Sequence, residues 1–169
     1  KLVSVGGAPR LRGYAAVWDA ETGKLVWGKE MGVGTIFTMA LSPDGSVVAT
    51  GGKSVKLWDA TTGKMLRELY GHLKRTQSIV FSADGRLVVA LSGTSCTANP
   101  NLRARVFDVR SGRLVRELPA RRVRAVAFSP DSATVATGSD NNRAAIWQVS
   151  TGESLHVFDQ FAGPVTDVV

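Results

Sequence analysis

Few residues in this chain have the types and spacing that chemistry requires. Gly23-Lys24-Leu25-Val26-Trp27-Gly28-Lys29 has the outline of a phosphate-cradling loop, whose backbone N–H groups and lysine hold phosphate oxygens. Such a loop continues with a Ser or Thr for magnesium and opens a helix; here Glu30 follows and the segment reads as an outer strand. The two histidines, His72 and His156, fall far apart and Cys96 is the lone cysteine, so no Cys/His set at metal-ligand spacing assembles, and no metal or other cofactor is expected. Nothing points to a Ser-His-Asp or Cys-His nucleophile site. Carboxylates recur instead: Asp44, Asp84 and Asp131 stand in turns, and Asp19, Asp59 and Asp108 end strands. A catalytic site is unique within a chain, so this regularity marks architecture. No catalytic residue is assigned and an enzyme is not expected.

The elements behind these residues repeat. An aromatic closes a short apolar strand at Val17-Trp18-Asp19, Leu57-Trp58-Asp59, Val106-Phe107-Asp108 and Ile146-Trp147-Gln148, so the aromatics lie 40, 49 and 40 residues apart. A small turn follows each at constant offset: Thr22-Gly23, Thr62-Gly63, Ser111-Gly112 and Thr151-Gly152. Between these anchors stand Ser42-Pro43-Asp44-Gly45, Ser82-Ala83-Asp84-Gly85 and Ser129-Pro130-Asp131-Ser132. Such turns reverse the chain between antiparallel strands, because Pro presets one φ and Gly permits a positive one. The intervening runs are short, rich in Val, Ile, Leu and Ala, and lack a sustained helical period. The expected class is all-β, with about 40 residues and four short antiparallel strands per unit, as in one β-propeller blade.

These motifs resemble the WD-40 repeat family, and the resemblance covers essentially the whole chain as about four degenerate repeats. Ala136-Thr137-Gly138-Ser139-Asp140 before Ile146-Trp147, and Ala49-Thr50-Gly51-Gly52 before Leu57-Trp58-Asp59, carry it; Gly71-His72 is the lone Gly-His pair. The resemblance implies a structural role for Trp18, Trp58, His72, Phe107, Asp140 and Trp147. In that family a His, a Ser or Thr, an Asp and the Trp of one blade form a buried hydrogen-bond tetrad. No blade here has all four: Phe107 replaces Trp in the blade carrying His72 and has no N–H to donate, and no Gly-His precedes the Trp147 blade. Softer blades than a consensus repeat are expected.

With strands named a to d from the axis outward, residues 1–30 read as a partial blade b-c-d. Residues 36–69, 76–118 and 123–158 read as full blades, and 164–169 as strand a of a further one. Three arrangements fit: a segment of a larger propeller, a homodimer that completes a ring, or four blades closed on themselves. Unpaired strand edges weigh against a free open segment.

The composition is that of a packed soluble protein, with 169 residues, 44% hydrophobic and 21% charged, and no apolar run long enough to span a bilayer is visible. A single cysteine accords with a reducing compartment such as the cytoplasm. The net charge of +7 points to an acidic partner. Two irregularities interrupt the repeat: nine extra residues within 92–102, between strands b and c of the third blade, and an Arg-rich run from Arg103 to Arg124. Arg121, Arg122 and Arg124 fall at the d-to-a connection, and Lys74 and Arg75 at the equivalent one a blade earlier. The resemblance puts these connections on the top face. The expected function is a non-catalytic protein-interaction scaffold or sensor module that binds a protein or peptide there, with those five cations as candidate contacts. The alternative is electrostatic binding of nucleic acid or other polyanions through the same Arg-rich rim; interleaved exposed aromatics for base stacking are missing.

Overall fold

A computed structural model describes residues 1–6, 12–33, 36–70, 75–92 and 103–169. Among them the chain is all-β, and its fifteen strands form four antiparallel sheets. Blade 1 holds β1 (Leu2–Gly6), β2 (Arg12–Trp18) and β3 (Leu25–Val33). Blade 2 holds β4 (Thr38–Leu41), β5 (Val47–Gly51), β6 (Val55–Asp59) and β7 (Met65–Leu69). Blade 3 holds β8 (Thr76–Phe81), β9 (Leu87–Ser92), β10 (Arg103–Asp108) and β11 (Leu114–Leu118). Blade 4 holds β12 (Val123–Phe128), β13 (Thr134–Ser139), β14 (Arg143–Gln148) and β15 (Ser154–Phe158). Neighbours in sequence pair in space, so each sheet is a meander whose a–b and c–d turns share one end and whose b–c and d–a connections share the other. His72, Lys74 and most of the third-blade insertion lie outside the described residues.

The recurrent carboxylates hold the turns. Asp59 Oδ1 accepts from the N–H groups of Thr61 and Thr62 and from the Thr62 hydroxyl at 2.7–2.9 Å, and Asp19 and Asp108 treat Thr22 and Ser111 in the same way. The next residue, Gly23, Gly63, Gly112 or Gly152, takes φ between 67° and 79°, a region open to Gly without a Cβ clash. In the a–b turns, the Ser42 and Ser82 hydroxyls donate to Asp44 and Asp84. Ser132 stands where Gly45 and Gly85 stand in their turns and takes φ 61° despite its side chain. Its buried hydroxyl accepts from Asp84 N at 3.3 Å, linking blades 3 and 4.

The core lies between blades. Val17, Val48, Trp58 and Ala60 fill the first joint; Val55, Leu57, Leu69, Ile79 and Phe107 help fill the second; Val106, Leu118, Val135 and Trp147 help fill the third. Strand alternation explains this: the aromatic of strand c faces the preceding blade, and the last apolar residue of strand d faces the following one. Residues 164–169 form no strand, but Val165 N donates to Ser139 O at 3.1 Å, as Thr76 N, at the start of blade 3, donates to Gly52 O at 2.9 Å.

Candidate functional site

The aromatic positions come first, because they rigidify the sheets that carry the loops. Trp58 Nε1 donates to Thr50 Oγ1, and Trp147 Nε1 to Thr137 Oγ1, both at 2.8 Å and buried; Trp18 Nε1 donates to Ser4 Oγ at 2.9 Å in a more exposed setting. Three blades thus keep the indole-to-hydroxyl link between strands c and b. In blade 3 the partner positions hold Phe107 and Ala90, both fully buried, so donor and acceptor are absent together. Asp140 accepts from Arg124 Nε in an ion pair, and its own N–H donates to Arg122 O at 3.0 Å.

At the loop end shared by b–c and d–a, the candidate cations have different surroundings. Arg124 sits at an irregularity in the β12–β13 pairing and is neutralised by Asp140. Arg75 lies over the Phe37 ring, 3.3 Å from its centroid, and stays exposed. Arg121 and Arg122 are exposed, and neither has an ion-pair partner among the described residues. Arg122 takes φ 55°, a left-handed conformation that costs a non-glycine residue roughly 1–2 kcal/mol. Beside Arg121 a cleft of 190 Å³ opens between the d–a connection of blade 3 and the b–c turn of blade 4. Pro119, Arg121, Asn141, Arg143 and Trp147 are among the residues that line it, and Arg143 pairs with Asp159 at 4.0 Å. Arg143 and Asn141 escaped the sequence reading, since neither breaks the repeat; a cation just after a tight b–c turn was the available signal.

The other charges serve the fold. Arg103 and Arg105 both pair with Glu117, which removes them from any free basic strip. A 410 Å³ cleft at the opposite end gathers Asp44, Asp84 and Asp108 with Arg86 and Arg110. Each carboxylate there is committed to a turn: hydrogen bonds from Ser42 and Ser46 hold Asp44 down to about 2, and those from Ser82 and Ser111 lower Asp84 and Asp108. A carboxylate held this far below neutrality makes a poor general acid or base. Among the described residues no group of three or more His, Cys, Asp and Glu side chains could hold a metal ion, and no helix is long and apolar enough to cross a membrane.

Stacked blades of three or four antiparallel strands with a polar loop face define a repeat-built propeller scaffold. The family model for the WD domain, G-beta repeat, matches residues 29–59 and 112–148, and strands β8 to β10 of blade 3 lie outside both stretches. Autophagy-related protein 16 of Arabidopsis thaliana is 30% identical over 75% of this chain and 25% of its own length. Cross-pathway control WD-repeat protein 2 of Flammulina velutipes is 31% identical over 80% of this chain and 44% of its own. Apoptotic protease-activating factor 1 of Rattus norvegicus is 33% identical over 62% of this chain and 8% of its own. The chain therefore spans less than half the length of each of these relatives. The two matched stretches are WD repeats, and the chain is similar to WD-repeat proteins. WD-repeat proteins in general bind other proteins and act as non-catalytic scaffolds.

Proposed function

We propose that this chain is a non-catalytic scaffold that presents its b–c and d–a loop face to an acidic protein or peptide segment. One observation carries the reading: Arg121 and its neighbour Arg122 are solvated and without ion-pair partners among the described residues, and Arg121 lines a cleft with Asn141 and with Arg143, which is held only by a 4.0 Å exposed ion pair to Asp159. A carboxylate entering there meets planar guanidinium donors suited to bidentate recognition. The left-handed Arg122, whose carbonyl is held by the Asp140 N–H, adds support, since backbone strain clusters at binding sites. Binding of nucleic acid through a continuous rim is less favoured, because Glu117 and Asp140 already neutralise Arg103, Arg105 and Arg124.

The test uses a fluorescent Asp/Glu-rich peptide and a DNA duplex as probes. Arg121→Glu with Arg122→Glu should weaken the peptide at least tenfold, and unchanged affinity would sink the proposal. Arg122→Gly should weaken it while leaving stability equal or up to about 1 kcal/mol higher, because glycine accepts this φ freely. Duplex binding tighter than peptide binding, with a steep salt slope, would transfer the site to polyanions.

A further inference from the structure

We infer that the cleft between blades 3 and 4 takes one glutamate side chain, selected by the Ser139 hydroxyl; this rests on the acid-binding reading of the loop face given above. Ser139 ends β13 at the b–c turn of blade 4 and is 6% exposed. It lines the 190 Å³ cleft, and its Oγ has no hydrogen-bond partner among the described residues. Local structure explains why. The d–a connection facing it contributes Pro119 and Ala120, whose side chains carry no hydrogen-bonding group. Across the β12–β13 pair stands Val123, equally inert. The other buried polar side chains of the cleft are already paired: Trp147 Nε1 donates to Thr137 Oγ1 at 2.8 Å, and Thr137 Oγ1 donates to Ala145 O at 3.5 Å. Thr76 Oγ1 and Arg116 Nε, unpaired as well, are sealed from solvent, whereas Ser139 adjoins a cleft. A buried hydroxyl without a partner costs free energy, and a ligand that supplies the partner recovers it.

The lining identifies the ligand by charge and shape. Arg121 and Arg143 are exposed guanidiniums, and no Asp or Glu is among the lining residues. Asp159, which pairs with Arg143, lies 4.0 Å away with both side chains more than half exposed, so water screens that pair and a ligand can displace it. The charge therefore selects an anion. Ala144, Ala145 and Trp147 supply apolar wall, and the last two are buried. A carboxylate on a methylene stem meets both demands. Its oxygens accept from a guanidinium and from the Ser139 hydroxyl, while the stem lies on the apolar wall. Glutamate carries one methylene more than aspartate, and burying it favours glutamate roughly fourfold in affinity.

Two fluorescent peptides of equal length and charge test this, one acidic through glutamate alone and the other through aspartate alone. The 169-residue chain should bind the glutamate peptide roughly fourfold tighter. Ser139→Ala should weaken that peptide about tenfold, the scale of one hydrogen bond to a charged group, and abolish the preference. The substitution deletes an unpaired hydroxyl, so its unfolding midpoint should match that of the native chain, which separates lost recognition from misfolding. Ala144→Leu fills the cleft from β14 and should abolish the preference as well. Equal affinity of the native chain for both peptides, or a preference that survives both substitutions, would overturn the inference. If Arg121→Glu with Arg122→Glu abolishes binding while Ser139→Ala leaves the glutamate peptide unaffected, the inference falls and the loop-face reading stands. Indifference to the arginine pair as well overturns both.

Discussion

Blades 3 and 4 share a joint yet solve the same packing problem with different chemistry. In blade 4 the buried Trp147 donates to Thr137; in blade 3 the same two positions hold Phe107 and Ala90. Removing one partner of a buried hydrogen bond leaves the other unsatisfied, whereas replacing both with apolar groups is close to neutral. At these two positions blade 3 therefore departs from the repeat without leaving a donor or an acceptor unpaired, although the buried Thr76 Oγ1 and Arg116 Nε of the same blade have no hydrogen-bond partner among the described residues. Blade 4 keeps the polar link and places its irregularity outside, on the uncovered β15, where every residue is exposed.

The largest expected effect separates the two blades by burial. Leu118→Ala, at the covered strand-d position of blade 3, should cost about 2–5 kcal/mol in denaturant titration. Phe158→Ala, at the same position in blade 4 but exposed, should stay within about 0.5 kcal/mol. Equal losses would mean that the face of blade 4 is already covered within one chain.

Next comes a double-mutant cycle on the polar link. Trp147→Phe alone should lose about 1–3 kcal/mol, and adding Thr137→Ala should show a coupling of about 1 kcal/mol that favours the pair already present in blade 3. Ala90→Thr in blade 3 should cost about 1–3 kcal/mol, since it buries a hydroxyl with no indole to meet it. Strictly additive losses would break the view that the two positions changed as a unit.

The smallest effect concerns acid. Hydrogen bonds from Ser111 lower the Asp108 carboxyl below its ordinary value, so this link is intact above pH ~4 and is lost as pH falls through the lowered pKa. Gln148 holds the same place in blade 4 and does not titrate in this range. An NMR titration from pH 5 to 2 should therefore move the Ser111 amide and leave the Thr151 amide in place.

Much of this was legible in one dimension. Aromatics 40, 49 and 40 residues apart, glycines at one offset and Ser-x-Asp turns point to the four-stranded unit, and the described residues form three four-stranded antiparallel sheets and one of three strands. The basic character of the d–a connections was legible too, although Lys74 and His72 lie outside the described residues. Less legible was which cations are already neutralised. Arg124 and Arg121 look alike in sequence, and only cross-strand register brings Asp140 to the first and the Asn141–Arg143 cleft to the second.

Local chemistry therefore determined the turns, the strand period and the family, because each depends on residues a few positions apart whose φ preferences and alternation act within one hairpin. Tertiary structure alone decided that Phe107 is matched by Ala90 and that Glu117 and Asp140 silence three arginines. Those outcomes depend on which strands lie against one another, and a repeat that places similar residues at each blade does not say which charged side chains the cross-strand register brings together.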